Sequence, residues 1–363
     1  MFYFWDMDSA SRQPRVLAFD IIRVVAMFWV VTFHFGYAYK ELTSRVFNFF
    51  CYAKNFDFGN VAVTLFFALS GLLLYNRYGQ RDNLSLRNFF VRRSMKIYPP
   101  FWLMNLYIVF TMARHWLAEG NPFFLGNPLK LLLTVLGIDG LAQAYGFQTY
   151  FFGGEWFIGA ILLLYLLFPC LAAAYRRKPG LLLAVLLVGY TLQFLLPIDL
   201  DYYMNILPFT LVLKFVFGFV LAGSLEKMKN KVFLGSCFAL AVLLLAIDIP
   251  GILKADFLGF VFALTIFPLL LFCGHLGEKS SFLHSVIGWL AAISYPAFLV
   301  QHVVIKWMQL LFQKVFGLWG MEFDAWVCFG LLWITFAVIL VAALVLKWVT
   351  DKLVNRLPFP LLK

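Results

Sequence analysis

The sequence predicts an all-α protein that crosses a membrane about ten times, with both termini on the cytoplasmic side. Three observations support this fold class. Of the 363 residues, 63% are apolar and 13% are charged, whereas soluble domains are about 45–50% apolar and about 25% charged. The apolar residues form continuous runs and do not alternate with polar residues, as they would in a membrane β-barrel. The basic residues concentrate on one side of these runs.

A spanning helix needs roughly 20 mostly apolar residues, and ten segments of the chain are predicted to meet this need. In chain order they are 16–38, 59–75, 97–116, 155–175, 180–197, 205–224, 232–249, 256–274, 284–311 and 325–348. A shorter apolar run, Pro128–Ile138, is too brief to cross and is predicted to be re-entrant or interfacial. We expect one membrane domain at 15–348, a cytoplasmic leader at 1–14 and a cytoplasmic tail at 349–363.

The distribution of positive charge predicts the orientation. With the amino terminus inside and the side alternating at each span, 19 of the 29 Lys and Arg residues fall in inner segments and eight in outer ones. Because inner loops of membrane proteins are rich in Lys and Arg, both termini are predicted to be cytoplasmic. The net charge of +11 mostly reflects this asymmetry. The sequence contains no basic soluble domain that would indicate a nucleic-acid partner.

The five cysteines lie far apart, without the CxxC or Cys/His spacing of a metal site. Most of them fall within predicted spans, where a cysteine behaves as a small apolar residue. The sequence therefore predicts neither a metal site nor a disulfide framework.

The first span carries three ionisable residues, Asp20, Arg23 and His34. Such groups are costly within a membrane and are candidates for function. Asp20 and Arg23 have the i, i+3 spacing of a pair, and His34 lies three turns further along the same face, about 16.5 Å away along the axis. This face is predicted to line a polar path in which the imidazole accepts a proton. The alternatives are an ion pair that anchors the helix start and a histidine that only joins two helices.

A second candidate site combines Ser70-Gly71, in the second span, with Arg92, Arg93 and Lys96 before the third. Small residues such as Ser and Gly allow another helix to approach closely. The basic residues precede Pro99, at a predicted helix start that itself favours anions. They are predicted to hold a phosphate at the cytoplasmic face, and the alternative is that they only anchor the topology. Lys214, within the sixth span, is expected to extend its ammonium to the membrane surface.

Several motifs in this order resemble the acyltransferase-3 family of membrane acyltransferases. The similar elements are Asp20-Ile-Ile-Arg23 with His34, Phe66-Phe67-x-x-Ser70-Gly71, Arg93-x-x-Lys96-Ile-x-Pro99, Trp156-Phe157 with Tyr165 and Pro169, and Ser294-Tyr295 with Phe298-Leu299 and His302. The resemblance covers about residues 15–348. Two positions depart from the family pattern: Lys96 replaces an Arg, and Ile161 stands where many members carry a Glu. We expect no additional hydrolase-like (SGNH) domain after residue 348.

The resemblance implies transfer of an acyl group, usually acetyl, from cytoplasmic acyl-CoA to a hydroxyl of an extracytoplasmic or lipid-linked glycan. It implies a catalytic set of His34, Arg23 and Asp20, in which His34 is a general base or an acyl carrier. The implied acetyl-CoA site comprises Arg92, Arg93, Lys96, Ser70 and Tyr98, and the implied acceptor site comprises Glu155, Trp156 and His302. No metal is implied. The expected partners are acyl-CoA, the saccharide acceptor and lipid of the inner (cytoplasmic) cell membrane, and a homo-oligomer is compatible with them.

Two other functions fit the membrane class. One is a transporter or flippase for a polysaccharide intermediate, although the chain shows no convincing internal repeat and only Pro296 offers a broken helix. The other is a structural subunit, which the ionisable residues of the first span argue against. For an acyltransferase, the longest outer loop, about 117–154, with Trp116, Tyr145, Tyr150 and Glu155, is expected to select the acceptor.

Overall fold

The computed structural model describes residues 16–43, 48–81, 84–123, 126–150, 156–193, 206–249, 255–319 and 323–356. Within these ranges the chain forms twelve α-helices and no β-strand, so the all-helical class is confirmed. The helices are α1 (Leu17–Thr43), α2 (Phe58–Leu74), α3 (Leu86–Glu119), α4 (Leu131–Leu136), α5 (Asp139–Ala144), α6 (Trp156–Arg177), α7 (Pro179–Gln193), α8 (Pro208–Ala222), α9 (Lys231–Ala246), α10 (Ala255–Gly277), α11 (Ser281–Trp319) and α12 (Ala325–Val354). A π-helical turn, Tyr75–Gly79, continues α2.

Six helices are long and apolar enough to cross a membrane: α1, α2 with its π-helical turn, α6, α10, α11 and α12. Helices α7, α8 and α9 are apolar but shorter, and α3 carries Arg87, Arg92, Arg93 and Lys96 in its first three turns. Each of the ten predicted spans coincides with one of these ten helices. The chain is therefore a multi-pass membrane protein, and crossing by the other four helices stays a prediction. Helix α12 continues to Val354, beyond the predicted end of the last span, whereas the leader and residues 357–363 lie outside the described residues.

The short apolar run Pro128–Ile138 folds back onto the bundle. It forms a 3-10 turn and then α4, which ends at Gly137 in the left-handed region, with a φ of 75°. Tyr98 and Trp102 of α3 donate hydrogen bonds to the carbonyls of Leu136 and Val135, each at 2.9 Å. These contacts hold α4 against the central part of α3.

Helix α1 lies between the two halves of the apolar core. Its residues Ile22, Ala26 and Val30 join a cluster formed mainly with α2, α6, α8 and α10. Met27 and Val31, on another side of α1, join a second cluster formed with α11 and α12. Helix α1 therefore packs against other helices on two sides.

Small residues allow α2 and α8 to pack with their backbones in contact. A Cβ atom on Gly71 would overlap the carbonyl oxygen of Phe215, and one on Gly218 would overlap that of Ala68. The expected close approach at Ser70-Gly71 is thus confirmed. It brings Ser70 into the interior of the bundle.

Candidate active site

The predicted pair at the start of α1 is formed. A guanidinium nitrogen of Arg23 donates to a carboxylate oxygen of Asp20 at 2.7 Å. The Asp20 side chain is 2% exposed, whereas that of Arg23 is 34% exposed. The buried carboxylate therefore orients an arginine whose outer part can still meet a ligand.

The structure brings His34 of α1 against His302 of α11. The centroids of the two imidazoles lie 4.1 Å apart, and the rings meet at 61°. The sequence analysis assigned His34 to the catalytic set and His302 to the acceptor site, and in the fold the two residues lie together. Such a pair can accept a proton from a nearby hydroxyl.

Arg93 enters a cage of three aromatic rings. Its guanidinium carbon lies 5.8 Å from the ring centroid of Tyr78 and 5.9 Å from those of Phe89 and Tyr165. Rings at this distance attract the cation. The buried Nε of Arg93 has no hydrogen-bond partner among the described residues. The cage thus holds the charge in place while leaving a donor available for an anion.

The hydroxyls of Ser70 and Tyr165 lie 2.9 Å apart, within hydrogen-bond distance. Tyr165 therefore connects Ser70 of α2 to Arg93 of α3. These two residues of the predicted CoA site are thus joined by a tyrosine that the sequence analysis named only as part of a motif. Tyr165 lies near the middle of α6, whereas Tyr78 lies in the π-helical turn that continues α2 and Phe89 in the first turn of α3. The Arg93 cage therefore extends from the ends of α2 and α3 toward the middle of α6.

Lys96 lines a different cavity, of about 60 Å³, between α3, α11 and α12. Lys347 also lines it and donates to Asp351 at 2.7 Å. Tyr295 lies at the same cavity and donates to the carbonyl of Ile97 at 3.0 Å. Arg93 and Lys96 are thus on one helix but face separate surroundings, and Arg92, which directly precedes Arg93, is half-buried.

The remaining predicted site residues lie elsewhere. The Tyr98 hydroxyl donates a hydrogen bond to the carbonyl of Leu136 on α4. Trp156 is the first residue of α6, and its ring lies 6.4 Å from that of Phe67. Glu155 lies outside the described residues.

The geometry of α1 and α2 separates two levels of the site. Gly59, at the start of α2, packs against the ring of Phe33, next to His34. Arg23 is eleven residues before His34, and Ser70 is eleven residues after Gly59. Since consecutive spans run in opposite directions, helical rise places Arg23 and Ser70 at about the same depth, about 16.5 Å from the level of His34. We call the level of His34 the upper level and that of Arg23 and Ser70 the deeper level. The Arg93 cage belongs to the deeper level through Tyr165, which contacts both Ser70 and Arg93.

A buried polar network that the sequence analysis missed lies beside the upper level. The ammonium of Lys214 donates to Asn60 at 2.7 Å and to Asp256 at 3.0 Å. Asp256 also accepts from Asn60 at 2.8 Å and from Tyr190 at 3.0 Å. Lys214 is 1% exposed, so the expectation that it reaches the membrane surface is wrong, because its charge is paired within the bundle. The available signal was a Lys in one span and an Asp at the start of another, since charges in membranes pair with one another.

Among the described residues, no group of three or more His, Cys, Asp or Glu side chains is placed to hold a metal ion.

Comparison with known families supplies the identity of the chain. The sequence profile of the acyltransferase-3 family, described as an acyltransferase domain, matches residues 16–351. Neither the curated proteins nor the solved structures that were searched contain a match. The matched range includes both levels of the site and nearly the whole chain. The chain therefore belongs to the acyltransferase-3 family and is a membrane acyltransferase that transfers groups other than aminoacyl groups.

Proposed function

We propose that this protein is an O-acyltransferase of the inner (cytoplasmic) cell membrane that moves an acyl group, most simply acetyl, from cytoplasmic acyl-CoA to a glycan. The acceptor is a hydroxyl of an extracytoplasmic or lipid-linked saccharide. The single observation that carries the proposal is the contact of His34 with His302, 4.1 Å between ring centroids, at a level separate from Arg23 and Arg93. Cations at one level suit the anionic acyl-CoA donor, and histidines at the other level suit the neutral hydroxyl of the saccharide acceptor.

The deeper level is the donor end of this path. Arg93 in its aromatic cage keeps an available donor, and Arg23 is half-exposed beside Asp20. Both cations can pair with phosphate oxygens of acyl-CoA, and Lys96 adds a third cation at the neighbouring cavity. Arg23 lies about 16.5 Å along the helix from His34, so the two cannot act on one carbonyl. We therefore assign Arg23 to the donor and not to an oxyanion formed beside His34.

The upper level is where transfer takes place. An imidazole nitrogen of His34 accepts the proton of the acceptor hydroxyl while the hydroxyl oxygen attacks the thioester carbonyl carbon. The carbon–oxygen bond forms, the carbon–sulfur bond breaks, and the proton passes to the thiolate of CoA. His302 shares the proton and orients His34. The alternative role, in which His34 first carries the acyl group itself, predicts a labelled protein when donor is supplied without acceptor.

The test uses membranes containing the full chain and acetyl-CoA labelled in the acetyl group. Label is followed into the glycan and lipid-linked fractions for wild type, His34→Ala and His302→Ala. A general base contributes about 100- to 10,000-fold, so His34→Ala should lose that much transfer. His284→Ala is the matched control, because His284 is bonded to the carbonyl of Glu278 away from the site. Full activity of His34→Ala would refute the mechanism.

A transporter or flippase is the second candidate function, and prolines inside two helices that line one cavity favour it. Pro296 lies inside α11 and Pro99-Pro100 inside α3, both helices continue through these prolines, and Pro100 and Pro296 line the same cavity as Lys96. If acetyl-CoA, succinyl-CoA and longer acyl-CoA donors all fail to label an acceptor-rich membrane, the transporter takes precedence.

A further inference from the structure

Phe33, whose ring contacts that of His34, belongs to a cluster of three aromatic rings. Phe33 lies 5.4 Å from the His34 ring and 4.8 Å from Tyr37, between ring centroids. Tyr52, from the segment between α1 and α2, lies 5.8 Å from Tyr37 and 6.0 Å from Phe33. We call Phe33, Tyr37 and Tyr52 the aromatic platform.

Tyr37 is the exposed ring of the platform, whereas Phe33 and Tyr52, like both histidines, are half-buried. Tyr37 is 44% exposed, and it follows His34 by three residues, so the two side chains are neighbours on the helix surface. Burial, with the side chain of Tyr37 close by, raises the pKa of Tyr52, so its hydroxyl stays protonated at physiological pH. The platform thus offers ring faces together with hydroxyl groups.

This combination fits a sugar ring better than an acyl chain. One face of a pyranose carries C–H groups that pack on an aromatic ring, and its edge carries hydroxyls that exchange hydrogen bonds with tyrosine. A lipid tail would use the rings alone. The opposing explanation is that Tyr37 is an ordinary tyrosine of the membrane interface.

The outer loop that the sequence analysis favoured is less suited. Tyr150 is 0% exposed, and its hydroxyl donates to the carbonyl of Gly126 at 3.3 Å, so its face cannot meet an acceptor. Tyr145 is 44% exposed, but its hydroxyl donates to the carbonyl of Ile206 at 2.8 Å.

We propose that the aromatic platform is a saccharide subsite that holds one pyranose ring of the acceptor with a hydroxyl toward His34. The inference rests on the proposed function for the reaction, but binding of the ring can be measured without any reaction. It makes Tyr37 and Tyr52 specificity-determining residues, and it places acceptor selection on α1 and on the segment before α2.

The experiment uses the purified full chain in lipid nanodiscs and saturation-transfer difference NMR. The probes are the methyl pyranosides of glucose, galactose, mannose and N-acetylglucosamine. For at least one probe, wild type should saturate the ring C–H protons, and Tyr37→Leu and Tyr52→Leu should reduce this signal at least fivefold. Tyr37→Phe, which keeps the ring, should retain most of it. The matched control is Tyr145→Leu, which removes a tyrosine of equal exposure, 44%, and should leave the signal unchanged.

Three outcomes would overturn the proposal: no saturation of any probe by wild type, a Tyr37→Leu signal within twofold of wild type, or loss of the signal in Tyr145→Leu instead. Because Tyr37 is exposed, Tyr37→Leu is expected to fold, and its thermal unfolding is compared with wild type. If Tyr52→Leu fails to fold, the signal of Tyr37→Leu alone decides whether the proposal stands. His34→Ala should bind the probe but not acylate it, so failure of acyl transfer and failure of saccharide binding are separate results.

Discussion

At the scale of single residues, the chemistry of this protein depends on which charges are paired and which keep a free donor. Arg93 is held by rings and retains an unbonded Nε among the described residues. Lys214 instead has its charge matched by Asp256 at 3.0 Å within the bundle. The first arrangement suits a ligand, and the second suits the fold. Two predictions test this division.

Arg93→Ala should weaken the binding of acetyl-CoA without changing the fold. A hydrogen bond to a charged group contributes about 1.5–3 kcal/mol, so the KM for acetyl-CoA should rise about 10- to 100-fold. The KM of Arg93→Lys should lie between those of wild type and Arg93→Ala, because lysine keeps the charge but lacks the planar guanidinium group. The control is Arg114→Ala, an exposed arginine later on the same helix. An unchanged KM in Arg93→Ala would indicate that the basic residues of α3 only set the membrane topology and do not bind acetyl-CoA.

Lys214→Met should destabilise the protein. Removing one partner of a buried ion pair leaves an unpaired charge and costs about 3–5 kcal/mol. Lys229→Met is the matched control, because Lys229 pairs with Glu226 at 3.0 Å with both side chains exposed, where a pair contributes about 0–1 kcal/mol. Thermal unfolding in detergent, followed by size-exclusion chromatography, measures both. Equal melting temperatures for the two variants would show that the Lys214 network does not stabilise the fold.

At the scale of helices, backbone contact between α2 and α8 positions the site. Gly71 lies next to Ser70, whose hydroxyl is 2.9 Å from that of Tyr165, so any movement of α2 also moves the Arg93 cage. The aromatic rings of Phe67 and Phe157, stacked at 4.9 Å, join α2 to α6 at the same place. Small residues on one side of α2 and aromatic residues on another thus hold three helices in register.

Gly71→Ala should therefore separate α2 from α8. The added methyl group would overlap the carbonyl oxygen of Phe215, and a backbone atom cannot move aside as a flexible side chain can. We expect a loss of stability of about 1–3 kcal/mol, typical of overpacking, with reduced acetyl-CoA binding.

Gly330→Ala provides the control for this change. A Cβ atom at Gly330, in α12, would meet nothing within 4 Å, and alanine favours a helix over glycine by about 1 kcal/mol. Gly330→Ala should therefore melt at or slightly above the wild-type temperature. The packing argument fails if Gly71→Ala melts no lower than Gly330→Ala.

At the scale of the whole molecule, the proposed reaction uses the two levels of the site from two sides of a membrane. Cations gather on α3 and at the ends of α6 and α12, and Phe33 and Tyr37 of the aromatic platform lie in the second half of α1. We propose that the donor arrives from the side of these cations and the acceptor from the other side.

Ten spans predict opposite sides for the segments before and after α9. Green fluorescent protein fused after Lys229 should fluoresce, because that segment is predicted to be cytoplasmic. Alkaline phosphatase fused after Asp248 should be active, because that residue is predicted to be outside. Fusions of both reporters at both positions in a bacterial host provide the controls. Cytoplasmic behaviour at both positions would show that α9 does not cross.

Some properties of this protein follow from the sequence by itself. Composition and continuous apolar runs determine the helical membrane class and the positions of the helices, because the absence of water forces every backbone group in a membrane to bond within its own helix. The Asp20–Arg23 pair is likewise local, since an i, i+3 spacing is enough to form it.

Only the tertiary structure decides which helices meet. It brings His302 to His34 across 268 positions of chain, closes three rings around Arg93, and pairs Lys214 with Asp256. Helical periodicity reports which face of a helix is polar but not which neighbour that face contacts. In this bundle the neighbour is selected by close packing, as at Gly71 and Gly218, because between membrane helices it is packing and interhelical hydrogen bonds that drive association.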